Sequence, residues 1–166
     1  MTCSKILSQA ALAQRVRQWR RAGQRLVLTN GCFDLLHAGH VQSLEEARGL
    51  GDALIVALNT DRSIRRLKGP GRPLVPQAQR ARVIAALACV DAVVLFDEPT
   101  PLRVIERLQP DVLAKGGDWA ANAIVGADVV RAHGGRVARL RYARGLSTSD
   151  IIRRAVQRYG GRRGSQ

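Results

Sequence analysis

Two of the chain's three histidines, His37 and His40, lie close together in the stretch GCFDLLHAGH. The stretch follows an apolar segment, RLVLTN, that is typical of a buried strand, and helical periodicity begins soon after it. Free amide groups and the helix dipole attract anions to the start of a helix. Imidazoles at that point can donate hydrogen bonds to phosphate oxygens, more strongly as negative charge develops. The pair therefore predicts a phosphate site, with one core histidine and one weak helix cap as the alternative interpretation.

Lysine is as rare as histidine in this arginine-rich chain, and two of the three lysines stand beside glycines. These are Lys68 in LKGPGRP and Lys115 in LAKGGDW. The compact charge of an ammonium group suits contact with a single phosphate oxygen, although either lysine could equally be a solvated loop residue. The glycines and prolines after Lys68 predict that it belongs to a loop rather than to a helix or strand, and that this loop closes over bound substrates.

Apolar runs and segments of helical periodicity alternate along the whole chain, which indicates an α/β fold. Strands are predicted over 25–30, 53–59, 91–96, 111–115 and 136–140, and helices over 8–23, 41–51, 77–89, 100–109, 123–135 and 147–160. We therefore expect a Rossmann-like, doubly wound parallel sheet of about five strands with helices on both faces. Ligands of such sheets bind at the carboxyl ends of the strands, where the histidines and both glycine-flanked lysines fall.

The same pattern predicts one main domain with short additions at its ends. The expected boundaries are an N-terminal helical segment over 1–24, the main domain over 25–160 and a disordered tail over 161–166. The first residues faintly imitate a secretion signal, but four arginines follow at once, so we interpret them as an amphipathic helix.

Composition limits the partners and the compartment. A net charge of +14 suits nucleic acid or small phosphorylated ligands. Arginine is spread along the chain, and two each of Trp, Tyr and Phe are too few for a base-stacking platform, so we expect no nucleic-acid partner. No stretch approaches the roughly 20 apolar residues of a membrane span, so no membrane partner is expected. Three cysteines without metal-ligand spacing fit free thiols and a cytoplasmic location.

Several blocks of the sequence carry a resemblance to a known family. TNGCFDLLHAGH resembles the signature of the HxGH nucleotidyltransferase superfamily, and GLSTSDII resembles that superfamily's second motif. The blocks from NTDRSIRRLKGPGRP to ALACVD and PDVLAKGGDW are similar to the adenylyltransferases of bacterial ADP-heptose synthases. The resemblance covers roughly 26–152. In many bacteria that domain is fused behind a sugar kinase, and here we expect the stand-alone form.

The resemblance implies a reaction and its partners. AMP would pass from ATP to D-glycero-β-D-manno-heptose 1-phosphate, giving ADP-heptose and pyrophosphate for the synthesis of the lipopolysaccharide core. Mg²⁺ would be the cofactor, held mainly by the ATP phosphates rather than by protein ligands, and the enzyme would be a homo-oligomer, either a dimer or a tetramer. The alternatives are a cytidylyltransferase for glycerol or ethanolamine phosphate, an FMN adenylyltransferase, and a non-catalytic basic domain that binds nucleic acid.

The resemblance also implies roles for individual residues. The catalytic set would be His37, His40 and Lys68. Nucleotide binding would fall to the two histidines with Cys32, Phe33, Asp118, Ser147 and Thr148, and substrate binding to Asp34 and Lys68. Alternative structural roles are a turn cap for Asp34 and an Asx turn for Asp118. Lys115 is retained as a possible anion contact, and Arg72 and Arg80 are interpreted as surface or salt-bridge residues rather than ligands.

Overall fold

The computed structural model of the chain describes residues 2–116, 124–141 and 147–160. Its strands are β1 (Ile6–Leu7), β2 (Leu26–Gly31), β3 (Ala53–Asn59), β4 (Ala92–Phe96), β5 (Val112–Gly116) and β6 (Arg136–Leu140). Its helices are α1 (Gln9–Arg21), α2 (Ala38–Arg48), α3 (Asp61–Lys68), α4 (Gln77–Ala86), α5 (Leu102–Leu108), α6 (Ala127–Ala132) and α7 (Thr148–Tyr159), preceded by a 3₁₀ turn over Thr2–Lys5. The strands pair in parallel in the order β1-β4-β3-β2-β5-β6.

This order places a topological switch point at the carboxyl end of β2. From β2 the chain builds the sheet first toward β3 and β4, and later returns to add β5 and β6 on the other side. The crossovers therefore diverge on either side of β2, which opens a crevice where its carboxyl end meets that of β5. The loop that carries the two histidines leaves the sheet at this crevice.

Two apolar layers hold the helices on the two faces of the sheet. One layer joins Leu26 and Leu28 of β2 to residues of α1, α5 and α6, including Leu12 and Ile105. The other joins Val27 of β2 to residues of α2 and α4. Successive side chains of a strand point to opposite faces, so each strand serves both layers, and β3 is buried along its entire length. The predicted doubly wound α/β fold is confirmed.

Several details differ from the sequence-based expectation, among them the start of α6 at Ala127, four residues later than predicted. The sheet has a sixth strand, because Ile6–Leu7 pairs with β4; two residues are too few to form a recognisable pattern. Helix α2 begins at Ala38, three residues earlier than predicted. Helix α3 was not predicted at all. Thr60 caps it by accepting a hydrogen bond from the amide of Ser63 at 3.1 Å. None of the helices in the described ranges has the length and apolarity needed to cross a bilayer.

Candidate active site

The loop between β2 and α2 delivers both histidines to the start of α2. His37 is the residue before the helix, and its carbonyl accepts a hydrogen bond from the amide of His40 at 2.9 Å. Its side chain makes no capping hydrogen bond, which is evidence against the alternative in which one histidine serves only as a cap. The imidazole of His37 is therefore available to a ligand at the anion-attracting end of α2.

The two imidazole rings stack on each other. Their centroids lie 3.8 Å apart with 24° between the ring planes, and both Nδ1 atoms are buried without a hydrogen-bond partner. Burial lowers the pKa of His40 to about 4, with help from the charges of His37 and Lys68, and burial also lowers the pKa of His37. Both rings are therefore neutral at pH 7, and each can donate one hydrogen bond.

Phe33 braces this pair from the loop. It adopts a left-handed backbone conformation, with φ 45°, and its ring centroid lies 5.2 Å from that of His40. A Cβ atom on Gly31 would come within 2.9 Å of the Phe33 ring. The glycine of GCFD thus lets the aromatic ring lie against the end of β2, and the ring in turn packs against His40.

Lys68 is the last residue of α3, so the prediction that it belongs to a loop is wrong. Burial lowers the pKa of His40 and raises that of Cys32, and the nearby ammonium charge of Lys68 adds to the first effect and opposes the second. The glycine-rich segment begins only after it, and Gly69 has a positive φ of 90°, which ends the helix. A helix, rather than a mobile loop, therefore presents the lysine to the histidine pair.

Asp97, directly after β4, fixes α3 against the sheet. Its carboxylate accepts hydrogen bonds from the guanidinium groups of Arg62, at 2.8 Å, and Arg66, at 2.7 Å, and from the hydroxyl of Thr60. The bond from Arg62 contributes most to holding the pKa of Asp97 well below its usual range. These contacts join the first and middle turns of the helix to the strand end, and they set the position of Lys68 at the last turn.

A cleft of about 480 Å³ opens at the carboxyl ends of β2 to β5. Lys68 and Lys115 both line it, together with apolar residues that include Phe96 and Ile124. Two of the three lysines in the chain thus border one cavity, which supports the interpretation of both as anion contacts. Cys32 also lines the cleft, and burial raises the pKa of its thiol in spite of the charges on Lys68 and Arg80.

Asp34 is committed to protein contacts. One carboxylate oxygen accepts hydrogen bonds from the amides of Leu74 and Val75 at 2.8 and 2.9 Å, and the other pairs with Arg72 at 2.6 Å. Burial alone would raise the pKa of Asp34, but these three donors outweigh it and hold the pKa below its usual value. The carboxylate therefore fastens the segment after α3 to the histidine loop, and Arg72 is a salt-bridge residue as predicted.

Arg80 is the positioning residue that sequence reasoning missed. The predicted salt-bridge role is confirmed by its pair with Asp61, but the residue is only 1% exposed, so the predicted surface position is wrong. It donates hydrogen bonds to the main-chain oxygens of Cys32, Asn59 and Val75 at 2.6, 3.0 and 2.9 Å, and it pairs with Asp61 at 2.7 Å. One side chain thus joins the histidine loop, the end of β3, the start of α3 and the segment before α4.

The second motif meets the first at the start of α7. Ser147 caps this helix, since its hydroxyl oxygen accepts a hydrogen bond from the amide of Asp150 at 3.0 Å. The Thr148 hydroxyl donates to the carbonyl of Leu35 at 3.4 Å. The structure therefore brings the Thr148 hydroxyl to the histidine loop, while the Ser147 hydroxyl bonds Asp150 of its own helix. Asp118, the other predicted nucleotide contact, lies outside the described residues.

The chain is similar to known proteins over most of its length. The family model described as cytidylyltransferase-like matches residues 28–154. The bifunctional protein HldE of Citrifermentans bemidjiense is 54% identical over 156 residues, covering 94% of this chain and 32% of that protein. HldE of Koribacter versatilis is 54% identical over 149 residues, which cover 90% of this chain and 31% of that protein. The chain thus spans about a third of the length of the curated relatives it matches.

A solved structure also resembles the chain. It is the crystal structure of the lipopolysaccharide core biosynthesis protein from Thermoplasma volcanium, which is 29% identical with a TM-score of 0.60. The similarity covers 73% of this chain and 98% of that one.

Proposed function

The chain belongs to the cytidylyltransferase-like family, and from that membership we propose that this nucleotidyltransferase moves AMP from ATP to D-glycero-β-D-manno-heptose 1-phosphate. The products are ADP-heptose and pyrophosphate, for the synthesis of the lipopolysaccharide core. The choice of heptose rests on the blocks that resemble ADP-heptose synthases and on the HldE proteins that share about half of the residues.

The observation that carries the proposal is the stacked pair of neutral imidazoles at the start of α2, next to the ammonium of Lys68. The ATP phosphates lie across His37 and His40, which donate hydrogen bonds, and the α2 dipole attracts the same oxygens. Lys68 contacts the phosphate under attack. The site thus concentrates hydrogen-bond donors and positive charge where negative charge builds up.

This reaction does not require a catalytic base. The sugar phosphate is already ionised at neutral pH, because its second pKa is near 6, so its oxygen can attack the α-phosphorus of ATP directly. The enzyme's task is to hold two anions in line and to stabilise the crowded negative charge. Asp34, a carboxylate beside the histidines in sequence, is engaged by Arg72 and two amides, which agrees with a site that operates without a base.

Mg²⁺ is the cofactor we propose for this reaction, and it would supply charge neutralisation on the ATP phosphates. Within the described ranges, no group of three or more His, Cys, Asp or Glu side chains could hold a metal ion. We therefore propose that Mg²⁺ reaches the site on the phosphates of ATP. Chelation with EDTA should then abolish turnover, and added Mg²⁺ should restore it.

A pyrophosphate-release assay tests the proposal directly. ATP, CTP and GTP are each combined with heptose 1-phosphate, glycerol 3-phosphate, ethanolamine phosphate and FMN. We expect the highest kcat/KM with ATP and heptose 1-phosphate. Equal or faster turnover with CTP, or with FMN as acceptor, would replace the proposal with the corresponding alternative. Binding of DNA or RNA in a salt-titrated gel shift, without any nucleotidyl transfer, would favour a nucleic-acid-binding domain.

A further inference from the structure

The side chain of Asn30 is an unexplained polar group beside the site. Its Oδ1 is buried and has no hydrogen-bond partner. Within the described part of the chain, four buried side-chain atoms lack a partner: those of Gln24, Asn30, His37 and His40. Three of the four lie near the carboxyl end of β2: Asn30 in the strand, His37 in the loop after it, and His40 in the first turn of α2. Because buried polar groups are nearly always hydrogen-bonded, such a cluster indicates groups that are kept for a ligand.

Asn30 faces a different region from the histidines. Side chains alternate along β2, so Asn30 lies on the same face as Leu26 and Leu28, whose apolar layer includes Phe96 and Ile124. Those two residues also line the cleft of about 480 Å³, and so does Asn30 itself. Helix α2, which carries His40, packs on the opposite face of the sheet. The cleft therefore extends away from the phosphate site and meets it near Lys68.

The other amide in this cleft is already satisfied by protein. The Nδ2 of Asn59 donates a hydrogen bond to the Ser63 hydroxyl at 3.0 Å, and its Oδ1 lies 3.9 Å from the sulfur of Cys32. Asn59 is thus tied to α3, whereas no protein group satisfies the Oδ1 of Asn30, a residue that lines the cleft. A ligand that bonds this Oδ1 needs a hydrogen-bond donor, which a phosphate dianion does not have.

We propose that Asn30 is a specificity-determining residue that hydrogen-bonds a hydroxyl group of the acceptor sugar. The inference rests on the proposed function and specifies its acceptor site: the phosphate faces Lys68 and His40, and the polyhydroxylated ring extends toward Asn30. A hydroxyl suits this position because it both donates and accepts, so it satisfies the amide in either orientation of its O and N atoms. A site built around such a bond disfavours acceptors that lack the hydroxyl, since the buried amide is then left unpaired.

The test compares wild type with two variants, Asn30→Ala and the near-isosteric Asn30→Leu. Each enzyme is assayed with heptose 1-phosphate and with analogues of it that each lack one hydroxyl group. Both variants should lower kcat/KM for the full sugar about tenfold to a hundredfold, as expected for one buried hydrogen bond. For one deoxy analogue, the kcat/KM values of the variants and of wild type should be nearly equal, because that analogue lacks the hydroxyl that bonds Asn30. The KM for ATP should stay within about twofold of wild type. Asn30→Leu keeps the test valid if Asn30→Ala is unstable.

Gln24 offers a matched control, because its buried Oε1 also lacks a partner but lies before β2, at the opposite end of the strand. Gln24→Ala should leave acceptor preference unchanged. A uniform loss across all analogues in the Asn30 variants would overturn the inference while leaving the proposed function intact. Failure of the wild-type enzyme to use any sugar 1-phosphate would overturn both.

Discussion

The imidazole rings of His37 and His40 are in face-to-face contact, with centroids 3.8 Å apart. Two cationic imidazoles would repel each other at this distance, so the stack is compatible with at most one protonated ring. Burial lowers the pKa of both histidines, so it keeps both rings neutral and thereby stabilises the stacked pair. Under the proposed function, the ATP phosphates would meet this stacked, neutral pair of hydrogen-bond donors at the site.

Replacing either histidine should impair catalysis far more than folding. His37→Ala and His40→Ala should each lower kcat at least about a hundredfold, because one preorganised donor at developing charge contributes about 3 kcal/mol. The melting temperature should change little. Pyrophosphate release and calorimetry measure the two effects. His133→Ala is the control, since His133 is exposed and bonds Gln109 and Val129 instead. If the variants are largely unfolded but their folded fraction keeps normal activity, the two histidines have a structural role and not a catalytic one.

The pKa of His40 predicts how stability depends on pH. It is about 4 in the folded protein against an ordinary value of 6.5, so between these values the unfolded chain binds more protons. This contribution to stability is fully present above about pH 6.5 and is lost as the pH falls toward about 4. Melting temperatures between pH 7 and pH 5 should therefore fall less steeply for His40→Gln than for wild type or His133→Gln. Equal slopes would contradict the assigned pKa.

ATP binding should be accompanied by proton uptake. The negative phosphates favour the charged form of a nearby imidazole and raise its pKa, so part of the His40 population becomes protonated when ATP arrives near pH 6. Titration calorimetry in buffers of different ionisation enthalpy measures the number of protons exchanged. His40→Gln should reduce that number, whereas His133→Gln should not. Proton release, or uptake that survives His40→Gln, would place the titrating group elsewhere.

Lys68 should act mainly in the transition state. Lys68→Ala should lower kcat by a larger factor than it raises the KM for ATP. Lys68→Arg should also be impaired, because a planar guanidinium does not replace a compact ammonium at one oxygen. Arg65→Ala, which removes an exposed charge one turn earlier on α3, should have little effect. If Lys68→Ala raises the KM for ATP and leaves kcat unchanged, Lys68 contributes to ground-state binding instead.

The contributions of Asp34 and Arg72 to the free energy of unfolding should be coupled. Asp34→Asn and Arg72→Met should each destabilise the protein by about 2–4 kcal/mol, because each leaves a largely buried charged partner unpaired. The double variant should lose less than the sum, with a coupling energy of about 1–3 kcal/mol. Urea unfolding of all four proteins measures this cycle. Additive losses would show that the two side chains act independently.

The sequence predicted those elements whose stability comes from a local pattern. β3 is an unbroken apolar run, and it forms the fully buried centre of the sheet. Helix α3 escaped prediction because its segment DRSIRRLK is mostly charged, and much of its support comes from Asp97, about 30 residues further along the chain. A helix held by such distant contacts leaves little signal in its own residues.

The same distinction separates the site residues. His37, His40 and Ser147 were predictable because each belongs to a compact motif at a helix start. The partners of Asp34 lie about 40 residues away in sequence, so its role could not be deduced from its neighbours. The sequence does carry a signal for Arg80: it stands one turn before Ile84 on the buried face of α4, and an arginine on an apolar face needs partners.

Arg80 holds three segments of the site by their carbonyl oxygens, at Cys32, Asn59 and Val75. Every amino acid offers the same oxygen, so this frame does not depend on which side chains those segments present to the ligand. Under the proposed function, the cleft residues that contact the acceptor can be exchanged while the proposed phosphate-binding residues stay in place. Redesign toward a new acceptor can therefore begin with substitutions at Asn30 and other residues of the cleft wall, with Arg80 left unchanged as the fixed part of the scaffold.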